Sequence, residues 1–161
     1  MLREALEAYP QAQAVHALRD GRDVVCSLLE RGWLNAAKDG GDDAGHPYGA
    51  QPRFWVEPER REEFSQVSDA RRCAWAWRRY VEAVRSAGAD ARLLEIRYEN
   101  LSRSAETLAT FLDANATSAH RVFDDFRDTS IGRWRKELTP EQVADVEAEA
   151  GPLLAELGYA A

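Results

Sequence analysis

The chain has 161 residues, 45% of them hydrophobic, and a formal net charge of −7. That length and apolar content suit one soluble globular domain with a real core and exclude disordered and fibrous classes. The acidic balance excludes nucleic acid as a general partner, because binding a phosphate backbone needs a basic face.

No apolar run approaches the roughly 20 residues of a membrane-spanning helix. Glu4 and Glu7 stand where a signal peptide would be basic and then apolar. The expectation is therefore a cytoplasmic protein with no membrane partner. Leu2 to Tyr9 reads as a short amphipathic stretch, and residues 12 to 18 as a strand.

The strand breaks at Asp20-Gly21, and apolar residues resume at helical spacing with Val24, Val25, Leu28 and Leu29, which predicts a helix over 21–35. A strand, tight turn and helix in this order make an anion site. Asp20 caps the helix, Arg19 leaves the strand end with a guanidinium that binds anions bidentately, and Ser27 adds a hydroxyl one turn beyond Asp23. The alternative is a surface turn whose Arg and Asp residues pair only with one another.

Residues 36–64 carry Gly40-Gly41, Pro47, Pro52 and Pro58 and read as one long loop. Gly40 and Gly45 have the spacing of a Walker loop, but His46-Pro47 replaces the Lys-Ser/Thr that such a loop needs. In this loop Tyr48, Phe54 and Trp55 line an acceptor site, or else Phe54 and Trp55 simply anchor the loop to the core. A strong helix follows over about 66–87, with Ala70, Cys73, Ala74, Trp77, Val81 and Val84 on one stripe. Trp77 belongs to the core, whereas Trp75, among Arg71, Arg72, Arg78 and Arg79, either meets a partner or packs as a satellite contact.

Gly88 ends that helix, and residues 92–97 alternate as a second strand of a parallel sheet, with Tyr98 at its carboxyl end. Ligands of open α/β sheets bind outside the carboxyl ends of strands, so Arg19 and Tyr98 both stand at the expected edge. Helices are predicted near 104–114, 118–126 and 139–157, the last opened by the capping box Thr139-Pro140-Glu141-Gln142. Its inner face carries Val143, Val146, Ala150, Leu153 and Leu157. Cys26 and Cys73 read as small core residues, and His16, His46 and His120 offer no ligand spacing, so no metal is expected. His16, on the first strand, reads as a packing residue.

Three segments in this order resemble the sulfotransferases that use 3′-phosphoadenosine 5′-phosphosulfate, PAPS. They are Arg19-Asp20-Gly21-Arg22-Asp23-Val24-Val25-Cys26-Ser27, then Leu94-Glu95-Ile96-Arg97-Tyr98-Glu99-Asn100-Leu101, and finally Ser130-Ile131-Gly132-Arg133-Trp134-Arg135. The likeness covers essentially the whole chain and is nearest to bacterial members, down to the ending Leu154-Ala155-Glu156-Leu157-Gly158-Tyr159.

The resemblance implies that Arg19 and Ser27 hold the 3′-phosphate, that Tyr98 contacts the adenine, and that Gly132-Arg133-Trp134 is the cofactor loop. Of the Arg-Lys-Gly triplet that many members place before that loop, only Arg127 matches, since Asp128-Thr129 follow it. The substitution of Asp128 for Lys lowers the local positive charge. Arg133, Arg135 and Lys136 otherwise read as a solvated charge run.

The implied fold is α/β, a P-loop-like parallel sheet flanked by helices. It is incomplete, because the family's 5′-phosphosulfate loop and general base would precede residue 1. The chain is then expected to be a single, N-terminally truncated sulfotransferase-like domain, with 36–64 on the acceptor side. PAPS would serve as cosubstrate, and the partners would be this nucleotide and a small-molecule or glycan acceptor. An open strand edge implies self-association or pairing with an upstream segment. A catalytically inactive nucleotide-binding remnant and a helical interaction module are the competing readings; a kinase is disfavoured by the absent Walker lysine.

Overall fold

A computed structural model of the chain describes residues 2–32, 34, 58–115, 117, 120, 121, 123 and 128–159. It is an α/β fold, mostly helical, with a two-stranded parallel sheet. The chain divides into two compact units, one made of residues 1–19 with 81–131, the other of 20–80 with 132–161.

The first unit holds the sheet. Strand β1 spans Ala14–Leu18 and strand β2 spans Leu93–Arg97, paired in parallel from Ala14 opposite Leu93 to Leu18 opposite Arg97. Both lie inside the predicted spans. Helix α1, Leu2–Ala8, precedes β1, and Arg92, just before β2, holds the end of α1 and the turn after it by donating to the carbonyls of Leu6 at 2.6 Å and Pro10 at 3.3 Å. Asp90 holds the Arg92 fork at 2.7 Å, and that guanidinium keeps the Asp90 carboxyl below its usual range. After β2 the chain runs through a 3₁₀ segment, Tyr98–Ser104, into helix α2, Ala105–Phe111, whose Ala105 and Ala109 are buried. Among the described residues of this unit, Leu6, Leu18, Val81 and Ile96 are the other buried apolar ones.

The second unit is helical. Helix α3 spans Gly21–Arg31, α4 spans Arg61–Gln66, α5 spans Asp69–Arg85 (in this unit as far as Tyr80), α6 spans Trp134–Glu137 and α7 spans Pro140–Glu156. Its apolar core includes Val25, Cys26, Cys73, Trp75, Trp77, Val146, Ala150, Leu153 and Leu154.

Gly21 opens α3 because nothing larger fits: a Cβ there would sit 2.7 Å from the Trp77 ring. The capping box of α7 is present as predicted, with Gln142 N donating to Thr139 Oγ1 at 3.3 Å and Thr139 N donating to Gln142 Oε1 at 2.9 Å.

Several boundaries differ from the sequence reading. The helix predicted over 21–35 ends at Arg31, where Gly32 turns left-handed at φ +59 and caps it, and the helix predicted near 104–114 spans Ala105–Phe111. Residues 58–64, assigned to the long loop, are helical: Pro58–Arg60 forms a 3₁₀ turn and α4 follows. Here proline suits a first helical turn, and Arg60 bridges to Glu63 one turn on at 3.1 Å, which holds the Glu63 carboxyl below its usual range. The helix predicted over 66–87 begins only at Asp69, because the Ser68 hydroxyl accepts from Arg71 N at 3.1 Å and caps a new helix there. The remainder of the long loop, with Tyr48, Phe54 and Trp55, and most of the helix expected over 118–126 lie outside the described residues.

Candidate functional site

In the first unit β1 delivers Arg19 one residue past its carboxyl end, and β2 delivers Tyr98 in the same position. Because the strands run in parallel and in register, both side chains emerge at one edge of the sheet. The structure brings them together: the Arg19 guanidinium carbon lies 4.6 Å from the centre of the Tyr98 ring. At that separation the cation is attracted by the ring's electron-rich face. Arg19 Nη2 also donates to the carbonyl of Ser130 at 2.5 Å, in the turn that leads toward Gly132. Arg19 is half-buried. The result is a cation held by an aromatic face and a backbone oxygen at the carboxyl end of a parallel sheet, which suits an anion joined to a planar ring.

In the second unit the first turn of α3 is a dense polar cluster. Asp20 caps the helix by accepting from Arg22 N at 2.9 Å, as the sequence predicts. The same carboxylate also takes the Arg22 side chain, from Nε at 3.0 Å and from Nη2 at 2.9 Å. Arg22, 2% exposed, reaches further to the carbonyl of Tyr159 and stacks 4.0 Å from the Trp134 ring centre.

Asp23 is fully buried, and its two carboxylate oxygens each accept a backbone N–H, from Gly132 at 2.7 Å and from Trp134 at 3.0 Å. Ser27 lies one turn along, and its hydroxyl donates to the Asp23 carbonyl at 3.3 Å. Arg127, the fourth residue implicated by sequence, lies outside the described residues.

The charge run after Gly132 is not simply solvated. Arg133 pairs with Glu137 at 2.7 Å and Glu30 at 3.0 Å, which raises its pKa, and Arg135 stacks on Trp134 at 4.5 Å. Helical spacing explains the first pair, since Arg133 and Glu137 are four residues apart.

Trp75, which the sequence left open between partner surface and packing, is a packing residue with no exposed surface. Phe64 meets it edge-on at 5.4 Å and the Arg60 guanidinium lies 3.6 Å over it. Beside them Glu149, whose side chain is 2% exposed, accepts from Arg78 at 3.0 Å, Arg71 at 3.2 Å and Arg60 at 3.5 Å. No sequence pattern marked Glu149 as buried. The available signal was its place between Val146 and Ala150 on the inner stripe of α7.

Cys26 and Cys73 are buried free thiols, as expected of core residues. Burial raises them to about 11 and about 12, so neither is a thiolate nucleophile at neutral pH. His16 meets Glu95 at 3.0 Å on one face of the sheet, and Arg85 meets the same carboxylate at 3.1 Å. An open groove of about 650 Å³ in the first unit runs past Val84, Arg85, Leu93 and Glu95, and neither Arg19 nor Tyr98 lines it.

Among the described residues no group of His, Cys, Asp and Glu is placed to hold a metal ion, and no helix is long and apolar enough to cross a membrane. No family model matches the chain, and no curated protein or solved structure matches it.

Proposed function

We propose that the chain binds the nucleotide of a PAPS-dependent sulfotransferase, and that its sheet is the P-loop-like sheet of that family. The observation that carries this reading is the Arg19–Tyr98 pair at the carboxyl ends of two parallel strands, 4.6 Å apart. A guanidinium binds a phosphate through two N–H donors, and an aromatic ring beside it offers a stacking face for adenine. In this reading Arg19 takes the 3′-phosphate and Tyr98 the base. Ser27 and Arg127 carry over from the resemblance of the three segments alone.

The reaction class is transfer of a sulfuryl group from PAPS to a hydroxyl or amine, with the acceptor's proton passing to a base and adenosine 3′,5′-bisphosphate leaving. Such transfers depend on positioning and on cations at the leaving phosphate, and Arg19 contributes to the binding of that leaving nucleotide. The reading assigns no general base among the described residues.

Equilibrium dialysis with adenosine 3′,5′-bisphosphate and with adenosine 5′-monophosphate tests the reading, because only the first carries the 3′-phosphate. The expected result is binding of the bisphosphate at least tenfold tighter than the monophosphate. Equal affinity, or no binding of either, would contradict it and favour a helical interaction module in which Arg19 only packs against Tyr98 and Ser130.

A further inference from the structure

Asp23 is a fully buried carboxylate spent on another segment's backbone. Its Oδ2 accepts from Gly132 N at 2.7 Å and its Oδ1 from Trp134 N at 3.0 Å, so both oxygens act only as acceptors, and from residues more than a hundred positions away. An amide side chain in its place would turn an N–H₂ donor toward one of the two backbone N–H groups.

The loop is shaped to be held. Gly132 has φ +72, a left-handed conformation that glycine adopts without strain and that lets N–H groups two residues apart converge on one carboxylate. Arg22, the residue before Asp23, closes over the Trp134 ring at 4.0 Å from the neighbouring position on α3. Charge-assisted bonds to two amides of a short loop fix its position more firmly than neutral bonds would.

We propose that Asp23 is a positioning residue for nucleotide binding: it sets the Gly132–Trp134 loop from the first turn of α3 and so controls affinity without touching the ligand. This rests on the sulfotransferase reading, in which that loop meets the nucleotide.

The test uses the full chain as wild type, Asp23→Asn, Gly132→Ala and Val146→Ala, with amide hydrogen exchange and adenosine 3′,5′-bisphosphate affinity measured on each. Gly132→Ala acts from the loop side, since alanine is strained at that φ and its Cβ would lie 2.9 Å from Arg135 Nη1. Val146→Ala is a control that destabilises the same unit at a buried apolar site on α7, without altering the Asp23 or Gly132 side of the contact.

Asp23→Asn and Gly132→Ala should each speed exchange near residues 132–134 at least tenfold relative to the α7 amides and weaken bisphosphate binding at least tenfold. Val146→Ala should do neither selectively. Unchanged loop exchange in Asp23→Asn would overturn the positioning role. Faster exchange with unchanged affinity would reduce Asp23 to a structural anchor and equally overturn it. Absence of bisphosphate binding by the wild type would instead remove the nucleotide reading and the affinity role with it, while the exchange result still decides whether Asp23 sets the loop. If Asp23→Asn does not fold, Gly132→Ala decides by the same two measurements.

Discussion

Glu149 is a buried charged hub of the second unit. Its side chain is 2% exposed and collects three guanidiniums: Arg78 through Nε at 3.1 Å and Nη2 at 3.0 Å, Arg71 through Nε at 3.2 Å, and Arg60 through Nη2 at 3.5 Å. Glu149→Gln keeps the size of the side chain but removes the charge and turns an amide N–H₂ toward one guanidinium. Arg60 and Arg71 retain Glu63, at 3.1 Å and 3.0 Å, which limits the cost on their side, while Arg78, the most buried of the three with a side chain 16% exposed, loses its contacts to this carboxylate.

Breaking a buried ion pair from one side costs roughly 3 to 5 kcal/mol. The partial exposure of the three guanidiniums, 33%, 30% and 16%, places Glu149→Gln near the lower end. The expectation is a loss of about 3 kcal/mol, or a Tm lowered by roughly 6 to 12 °C in a chain of this length. Urea denaturation followed by circular dichroism measures it. Glu149→Leu combined with Arg78→Met should recover part of the loss, because removing both charges leaves less of the network unpaired. A loss below about 1 kcal/mol would refute the reasoning, since that is the range of a solvated surface pair.

Two further outcomes follow from packing and burial. Gly21→Ala should destabilise by roughly 2 kcal/mol in the same assay, despite alanine's better helix propensity, because its Cβ would meet the buried Trp77 ring at 2.7 Å; a stabilised variant would show that the ring moves aside freely. Cys26 and Cys73 have folded pKa values raised to about 11 and about 12, while unfolded thiols ionise near 8.5, so their stability contribution is full below pH ~8.5 and is lost as pH rises through the folded values. Urea titrations between pH ~8 and ~11 should show stability falling less steeply in a Cys26→Ala, Cys73→Ala double variant than in the wild type. An identical slope would contradict the assignment.

Local signals in the sequence were strong wherever one segment decided its own structure. The Asp20 cap, the Thr139 capping box and the two strands ending at Leu18 and Arg97 all follow from short-range patterns, and each is present. Ser68 shows where such a signal was overlooked, since a cap interrupted what periodicity alone read as one helix. Arg19 and Tyr98 were both placed at the strand ends, but their stacking depends on the parallel register between segments nearly eighty residues apart.

Asp23 and Glu149 were illegible for a different reason. Each is a common polar residue on a helix, and only tertiary contacts with Gly132, Trp134, Arg60, Arg71 and Arg78 make them buried hubs. The charge run at Arg133 likewise resolved into specific pairs once Glu30 was brought near.

The central claim is that Arg19 is an anion-binding cation and not merely a packing one, and isothermal titration calorimetry of adenosine 3′,5′-bisphosphate into wild type and Arg19→Ala tests it most directly. Losing a charged bidentate contact to phosphate should weaken binding by about 2 to 4 kcal/mol, with Arg19→Lys intermediate because it keeps the charge and loses the fork. Equal affinity in wild type and Arg19→Ala would contradict the claim and leave Arg19 as a structural tie between Tyr98 and the Ser130 carbonyl.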